Sequence, residues 1–249
     1  MANETTLTSI LINGARGRMG HALIEAARNA GITSVAAIDQ GDDAASVIGA
    51  AGAVLDFSHH TATLPLARLC AGHGKPLIVG TTGHTAAERE AILEAVRTLP
   101  VVWAGNYSIG VTLLNHLVKI AAATLDASYQ IELVEMHHRH KKDAPSGTAE
   151  TLLQIAREAR HLPPQVIRNG RAGLTGERPS DEIGVHALRG GDVVGDHTVY
   201  FAGEGERLEL THRAANRAIF AIGAIRAAQW VVSRAPGIYG MGDVLGISE

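Results

Sequence analysis

The 249 residues, 46% hydrophobic and 19% charged, suffice for one or two soluble domains with substantial cores. With 22 Lys and Arg against 25 Asp and Glu the formal net charge is −3, which excludes a global basic field for nucleic acid or anionic membrane and requires any anion site to be local. One cysteine, Cys70, excludes an intrachain disulfide; with no secretory pattern in MANETTLTS and no apolar run of the roughly 18 residues needed for a span, the chain is expected in the cytoplasm.

Leu7 to Asn13 is apolar and β-compatible and runs into Gly14-Ala15-Arg16-Gly17-Arg18-Met19-Gly20. Met19, Ala22, Leu23, Ala26, Ala27 and Ala30 then recur at helical spacing, with Gly31 as a stop. Val35 to Ile38 predicts a second strand ending at Asp39. Strand, glycine loop, helix and strand-end acid form the pattern of a dinucleotide-binding unit. The glycines let backbone approach a pyrophosphate at the helix start, and the acid accepts hydrogen bonds from a ribose. The spacing is GxxGxxG, with Arg16 where GxGxxG has its middle glycine. Asp39 opposes a 2′-phosphate and Gln40 offers no charge for one, so the pattern leans to NADH; Arg16 and Arg18 keep NADPH open.

Gln40 to Gly52 reads as a loop, Ala53 to Phe57 as a strand ending in Asp56-Phe57-Ser58-His59-His60, and Ala62 to Ala71 as a helix. Leu77 to Val79 leads into Gly80-Thr81-Thr82-Gly83, Thr85 to Leu99 is helical by pattern, and Val101 to Ala104 is the next strand. This alternation predicts a parallel sheet covered on both faces. After Gly105-Asn106-Tyr107-Ser108 comes a helix carrying Val111, Leu114 and Val118, then a strand from Tyr129 to Met136.

A change of texture follows. His137, His138, Arg139, His140, Lys141 and Lys142 are or can be cationic, and they read as a loop ahead of Asp143-Ala144-Pro145. Ser146-Gly147-Thr148 reads as a helix start whose free amides suit a carboxylate. Thr148 to Arg160 is an amphipathic helix. Ile183 to Leu188, Val193 to Phe201 and Arg207 to Thr211 are β runs, and Gly190-Gly191 and Gly203 to Glu206 read as hairpin turns, predicting a mainly antiparallel sheet. Asn216 to Val232 returns to helix, and Gly237 to Glu249 reads as a loop-like tail.

The run Glu135-Met136-His137-His138-Arg139-His140-Lys141, with Asp143 to Ala149, resembles the active-site motif of the 4-hydroxy-tetrahydrodipicolinate (dihydrodipicolinate) reductase family. Gly17 to Gly20, Gly80 to Gly83, Asn106 to Val111, Gly195-Asp196-His197 and Leu210 to Ala214 are similar to family segments, in the family's order. The resemblance implies an α/β fold: a Rossmann-type parallel-sheet domain (1–108), an inserted α+β domain with a mixed, mainly antiparallel sheet for substrate and oligomerisation (109–216), and a C-terminal return (217–249). It implies NADH- or NADPH-dependent reduction of a small cyclic imine dicarboxylate, domain closure and a homotetramer.

Residue by residue, it implies that His137 donates the proton and that Lys141 binds a substrate carboxylate and steadies developing charge. His138, Ser146, Gly147, Thr148 and Arg217 would contact substrate. Gly14, Arg16, Gly17, Arg18, Met19, Asp39, Gly80, Thr81, Thr82, Ala104, Asn106 and Tyr107 would contact cofactor. Hydride addition leaves electron density that a proton must quench, and histidine is the side chain that titrates near neutrality. Two features depart from the family pattern: Ser58-His59-His60 after Phe57, where the family more usually has a threonine and where the histidines either line the nicotinamide side of the cleft or, the favoured reading, lie on the surface, and a short connection after Asp39. A metal site at His137, His138 and His140 is disfavoured by the crowding lysines and arginine, so no metal is expected. The nearest rival is another nicotinamide reductase acting on a different imine or amino acid.

Overall fold

The computed structural model describes residues 6–32 and 34–247. The chain divides into two compact units, one running to Ile109 and resuming at Arg217, the other spanning Gly110–Asn216.

The first unit is built on strands β1 (Ser9–Asn13), β2 (Ser34–Ile38), β3 (Ala53–Asp56), β4 (Leu77–Val79), β5 (Pro100–Trp103) and β11 (Gly237–Tyr239), numbered in chain order. They form a six-stranded sheet in the order β11-β5-β4-β3-β1-β2, with parallel pairing throughout. Every residue of β3 and β4 is buried, as a sheet covered on both faces demands. Helix α1 (Arg18–Asn29) and helix α7 (Ala218–Val231) fill one core with Leu23, Ala27, Ala224 and Ala228. Helix α3 (His60–His73) and helix α4 (Ala86–Ala95) lie with a second core through Leu66, Cys70 and Ile92. Each such large apolar side chain contributes about 1.5–3 kcal/mol by leaving water.

Two local expectations change in this unit. The stretch read as a loop after Asp39 folds into a short helix, α2 (Ala44–Val47), and a 3₁₀ turn, Ile48–Ala50. Asp43 caps the helix by accepting from Ala45 N at 3.0 Å, and the fully buried Ile48 anchors the turn. The tail read as loop-like supplies β11 and helix α8 (Met241–Leu245), because Met241 and Val244 bury into the first core; its last two residues lie outside the described ones.

The second unit carries helix α5 (Ile109–Thr124), whose first residue belongs to the other unit, and strand β6 (Gln130–His137). Helix α6 (Gly147–Ala159) and strands β7 (Ile167–Asn169), β8 (Ile183–Arg189), β9 (Gly195–Ala202) and β10 (Arg207–Ala214) complete it. The sheet order is β10-β9-β6-β8-β7. Gly203 to Glu206 does turn a hairpin, closed by Gly203 N donating to Glu206 O at 2.9 Å. Gly190-Gly191 does not: β8 lies parallel to β6 and β9 antiparallel to it, on opposite sides. The sheet is therefore mixed, with two antiparallel and two parallel pairings, and includes β7, which the sequence pattern did not suggest. Leu114, Val118, Leu152 and Leu153 of the helices cover Ile131, Leu133, Val199 and Phe201 of the sheet.

Candidate active site

In the first unit, β1 turns into α1 through Gly14, which adopts φ +87° and lies so close to the next loop that a Cβ would meet Phe57 O at 2.4 Å. A Cβ on Gly20 would meet Gly14 O at 2.4 Å, so that glycine permits the helix to start against the strand end. Gly17 is the N-cap of α1 with no side-chain cap, and the first turn holds no acid. The helix start is left for an outside anion. A cleft of about 470 Å³ opens beside it, lined among others by Gly17, Arg18, Met19, Gly80, Asn106 and Arg217. Asp39, just past β2, accepts from Arg16 N at 2.9 Å and Gln40 N at 2.8 Å; the Gln40 and then the Arg16 amide hold its carboxyl below the ordinary value. Glycine turn, uncapped helix start and strand-end acid fit a dinucleotide.

Other residues expected at the cofactor make contacts within the scaffold. Thr81 is buried, its N and hydroxyl donating to Asp56 O, while Thr82 beside it is exposed. Tyr107 is buried beside Phe57, with ring centroids 5.4 Å apart, and its hydroxyl shares its one proton between Val79 O at 2.9 Å and Val102 O at 3.0 Å, bracing the ends of β4 and β5. Ala104 N extends the sheet by donating to Val79 O, and Asn106 Oδ1 accepts from Ser108 N at 2.9 Å. Arg16 pairs with Asp42 at 3.4 Å. Arg217, expected at the substrate, lines the first-unit cleft together with Phe57 of the strand end and with Phe220, which the sequence pattern did not single out. Of the histidine pair, His59 is exposed as expected, whereas His60 is half-buried and meets Glu88 Oε1 at 2.8 Å.

In the second unit, His137 closes strand β6 and does not begin the loop, correcting the expectation. The alternation of the strand buries Ile131, Leu133, Glu135 and His137 on one face. Glu135 is fully buried. His137 Nδ1 lies 2.6 Å from Glu135 Oε2. Arg189 grips the same carboxylate with two bonds of 2.8 Å, and Ser146 N donates to it at 3.2 Å. Burial pushes the Glu135 carboxyl up, but the bonds from Arg189 and His137 outweigh it and hold the group below the usual range.

The ring of His197 stands edge-on to His137, centroids 5.1 Å apart, and its Nε2 meets Ser146 Oγ at 2.9 Å. Burial, followed by the neighbouring His137, pushes His197 down to about 4. Ser146 is the N-cap of α6, accepting from Ala149 N at 3.2 Å, so Gly147 and Thr148 form the first turn. Lys141 is mostly buried and pairs with the exposed Asp143 at 2.8 Å. His138 and His140 sit with ring centroids 6.2 Å apart, His140 exposed. The structure thus brings His137, Ser146 and the start of α6 onto one carboxylate.

Glu135, Arg189, Gly195 and His197 had no role assigned from sequence. The available signal was the two-residue spacing of Glu135 and His137, which on a strand means one face. Reading His137 as a loop residue concealed it.

A glycine-turn nucleotide unit and a second unit presenting a carboxylate-held histidine beside a helix start define the class of two-unit nicotinamide-dependent oxidoreductases. Two family models match: dihydrodipicolinate reductase, N-terminus, over residues 8–107, and dihydrodipicolinate reductase, C-terminus, over residues 110–245. The chain is 51% identical over 246 residues to a 4-hydroxy-tetrahydrodipicolinate reductase of Akkermansia muciniphila, covering 98% of this chain and 100% of the relative. It is 47% identical to that of Thiobacillus denitrificans, covering 96% and 98%. In fold it is similar to the dipicolinate-bound dihydrodipicolinate reductase of Paenisporosarcina sp. TG-14, with a TM-score of 0.76, 23% identity, and 95% and 99% of the two chains covered. The chain belongs to the dihydrodipicolinate reductase family.

Proposed function

We propose that this chain is a 4-hydroxy-tetrahydrodipicolinate reductase, reducing a cyclic imine dicarboxylate, with loss of water, in lysine and diaminopimelate biosynthesis. The observation that carries the assignment is 51% identity across 98% of the chain to a relative of that activity. None of the described helices is long and apolar enough to cross a membrane, and the enzyme works in the cytoplasm as a homotetramer.

A bound nicotinamide dinucleotide supplies the hydride. Gly14, Gly17, Arg18 and Met19 would hold its pyrophosphate, with Arg16 in the same turn. Asp39 would accept from the ribose, and Gly80, Thr81, Thr82, Ala104, Asn106 and Tyr107 would shape the remaining cofactor surface. Lys141 and the start of α6, the Ser146 cap with Gly147 and Thr148, take a substrate carboxylate, assisted by His138; Arg217, in the first-unit cleft, is a separate substrate contact. His137 delivers the proton that quenches the density left by reduction.

NADH is the preferred cofactor. Asp42 adds a second carboxylate beside Asp39, its Oδ2 accepting from Asp39 N at 2.8 Å and pairing with the Arg16 guanidinium at 3.4 Å, so a 2′-phosphate would meet repulsion with one of the two candidate arginines already paired. The test is oxidation of NADH and NADPH with substrate generated from pyruvate and aspartate semialdehyde. Turnover with a kcat/KM about tenfold higher for NADH is expected, a gap of about 1.4 kcal/mol, and Asp39→Ala should narrow it. No turnover with either cofactor would sink the assignment; equal use would remove Asp39 as the selector. Light scattering at the mass of a monomer or dimer would remove the tetramer.

A further inference from the structure

We propose that Glu135, clamped by Arg189, is a positioning residue that selects the tautomer of His137, making Nε2 the atom that exchanges a proton with substrate. This deepens the role given to His137 above and rests on it.

The argument is one of donors and acceptors. Glu135 is fully buried on β6, and each of its oxygens takes one Arg189 nitrogen at 2.8 Å. Oε1 also accepts from Ser146 N at 3.2 Å, which leaves Oε2 to face His137 Nδ1 at 2.6 Å. A carboxylate so gripped by a guanidinium is ionised, and an ionised carboxylate only accepts. The proton in the short contact therefore sits on Nδ1. It stays there in both forms of the ring, so gain and loss of the second proton occur at Nε2.

The surroundings keep that nitrogen clear. A Cβ on Gly195 would stand 2.9 Å from His137 Nε2, so a side chain at that place on β9 would press on the reacting atom. Against the ring stand Glu135 on its own strand and His197 on β9; Arg189 on β8 is bound to Glu135, while His212 on β10 and Lys141 from the following loop, itself tied to Asp143, lie within electrostatic reach of His197. Among these, Glu135 makes the hydrogen bond to His137 Nδ1. The Arg189 clamp also predicts what an amide would do. In Glu135→Gln, the amide oxygen is claimed by Arg189, which can only donate, and the NH₂ turns to His137. It then donates to Nδ1 and forces the opposite tautomer.

Nitrogen-15 NMR of the full-length protein, labelled in histidine and recorded at about pH 8, above the ordinary histidine range, reads the tautomer without substrate. His137 should carry its proton on Nδ1 in the wild type and on Nε2 in Glu135→Gln. The same variant should lose about 100-fold in kcat with KM for substrate within about threefold, and Glu135→Asp should keep the Nδ1 proton. A wild-type His137 protonated at Nε2 overturns the proposal even if the variants fail to fold. So does a folded Glu135→Gln with an unchanged tautomer. Because the tautomer is read without turnover, these outcomes are separate from failure of the assigned activity.

Discussion

Among the described residues, each unit contains one fully buried carboxylate at or near the end of a strand, Asp56 on β3 and Glu135 on β6, and the two are held in opposite ways. Asp56 is surrounded by neutral donors: Asn13 Nδ2 at 3.0 Å, Thr63 Oγ1 at 2.7 Å and the Ser58 hydroxyl. Its main-chain oxygen takes the amides of Gly80 and Thr81, so it gathers the end of β1 and the loops after β3 and β4. Glu135 is held by a guanidinium and a histidine. Neutral donors can fix a buried acid and order loops, but they leave the acid chemically idle. A partner that itself gains and loses a proton turns the same group into part of an acid–base device.

The sharpest separation of the two regions comes from kinetics. His137→Ala should lower kcat by about 10²–10⁴-fold with little change in KM, whereas Lys141→Ala should harm both; steady-state rates at saturating cofactor decide this. A His137→Ala enzyme of full activity would make the Glu135 cluster as structural as the Asp56 one.

Next in size is the cost of neutralising each acid, read by urea unfolding. Glu135→Gln should lose about 3 kcal/mol, because the partly buried Arg189 loses its counter-charge. Asp56→Asn should lose about 1 kcal/mol. Its donors are neutral, and the Thr63 hydroxyl can turn to His84 Nε2, which lies 2.8 Å away. Equal losses would erase the distinction.

The smallest effect is in pH dependence. His197 protonates near 6.5 when unfolded and, pushed down by burial and by His137, near 4 when folded. Between those values the unfolded chain binds more protons, so stability is complete above 6.5 and falls as pH drops towards 4, by roughly 1 kcal/mol per pH unit at its steepest. His84 and His212, both lowered chiefly by burial, add in the same direction. Carboxylates act further down: burial raises Glu132, bonds from Arg171 and Arg178 bring it from 4.5 to about 2, and its contribution is lost as pH falls through that lower range. Melting temperatures from pH 6.5 to 4.5 should therefore decline in the wild type and decline less in His197→Asn. Parallel curves would show that His197 is not desolvated as the fold implies.

Local pattern determined much of this protein. The glycine turn, the helix after it and Asp39 were legible because a backbone that must approach a phosphate restricts residue types at fixed spacing. The parallel sheet followed from alternating apolar runs, and the family from the run Glu135 to Ala149, long enough to be specific. Tertiary structure decided the rest. Whether β8 pairs across Gly190-Gly191 or on the far side of β6 is a non-local choice that turn residues do not encode. The tail became a strand and helix because burying Met241 and Val244 outweighs weak local propensity. Glu135, Arg189 and His197 lie on three different strands. Only sheet register brings them around His137, because hydrogen-bond geometry is set by where strands align and not by distance along the chain.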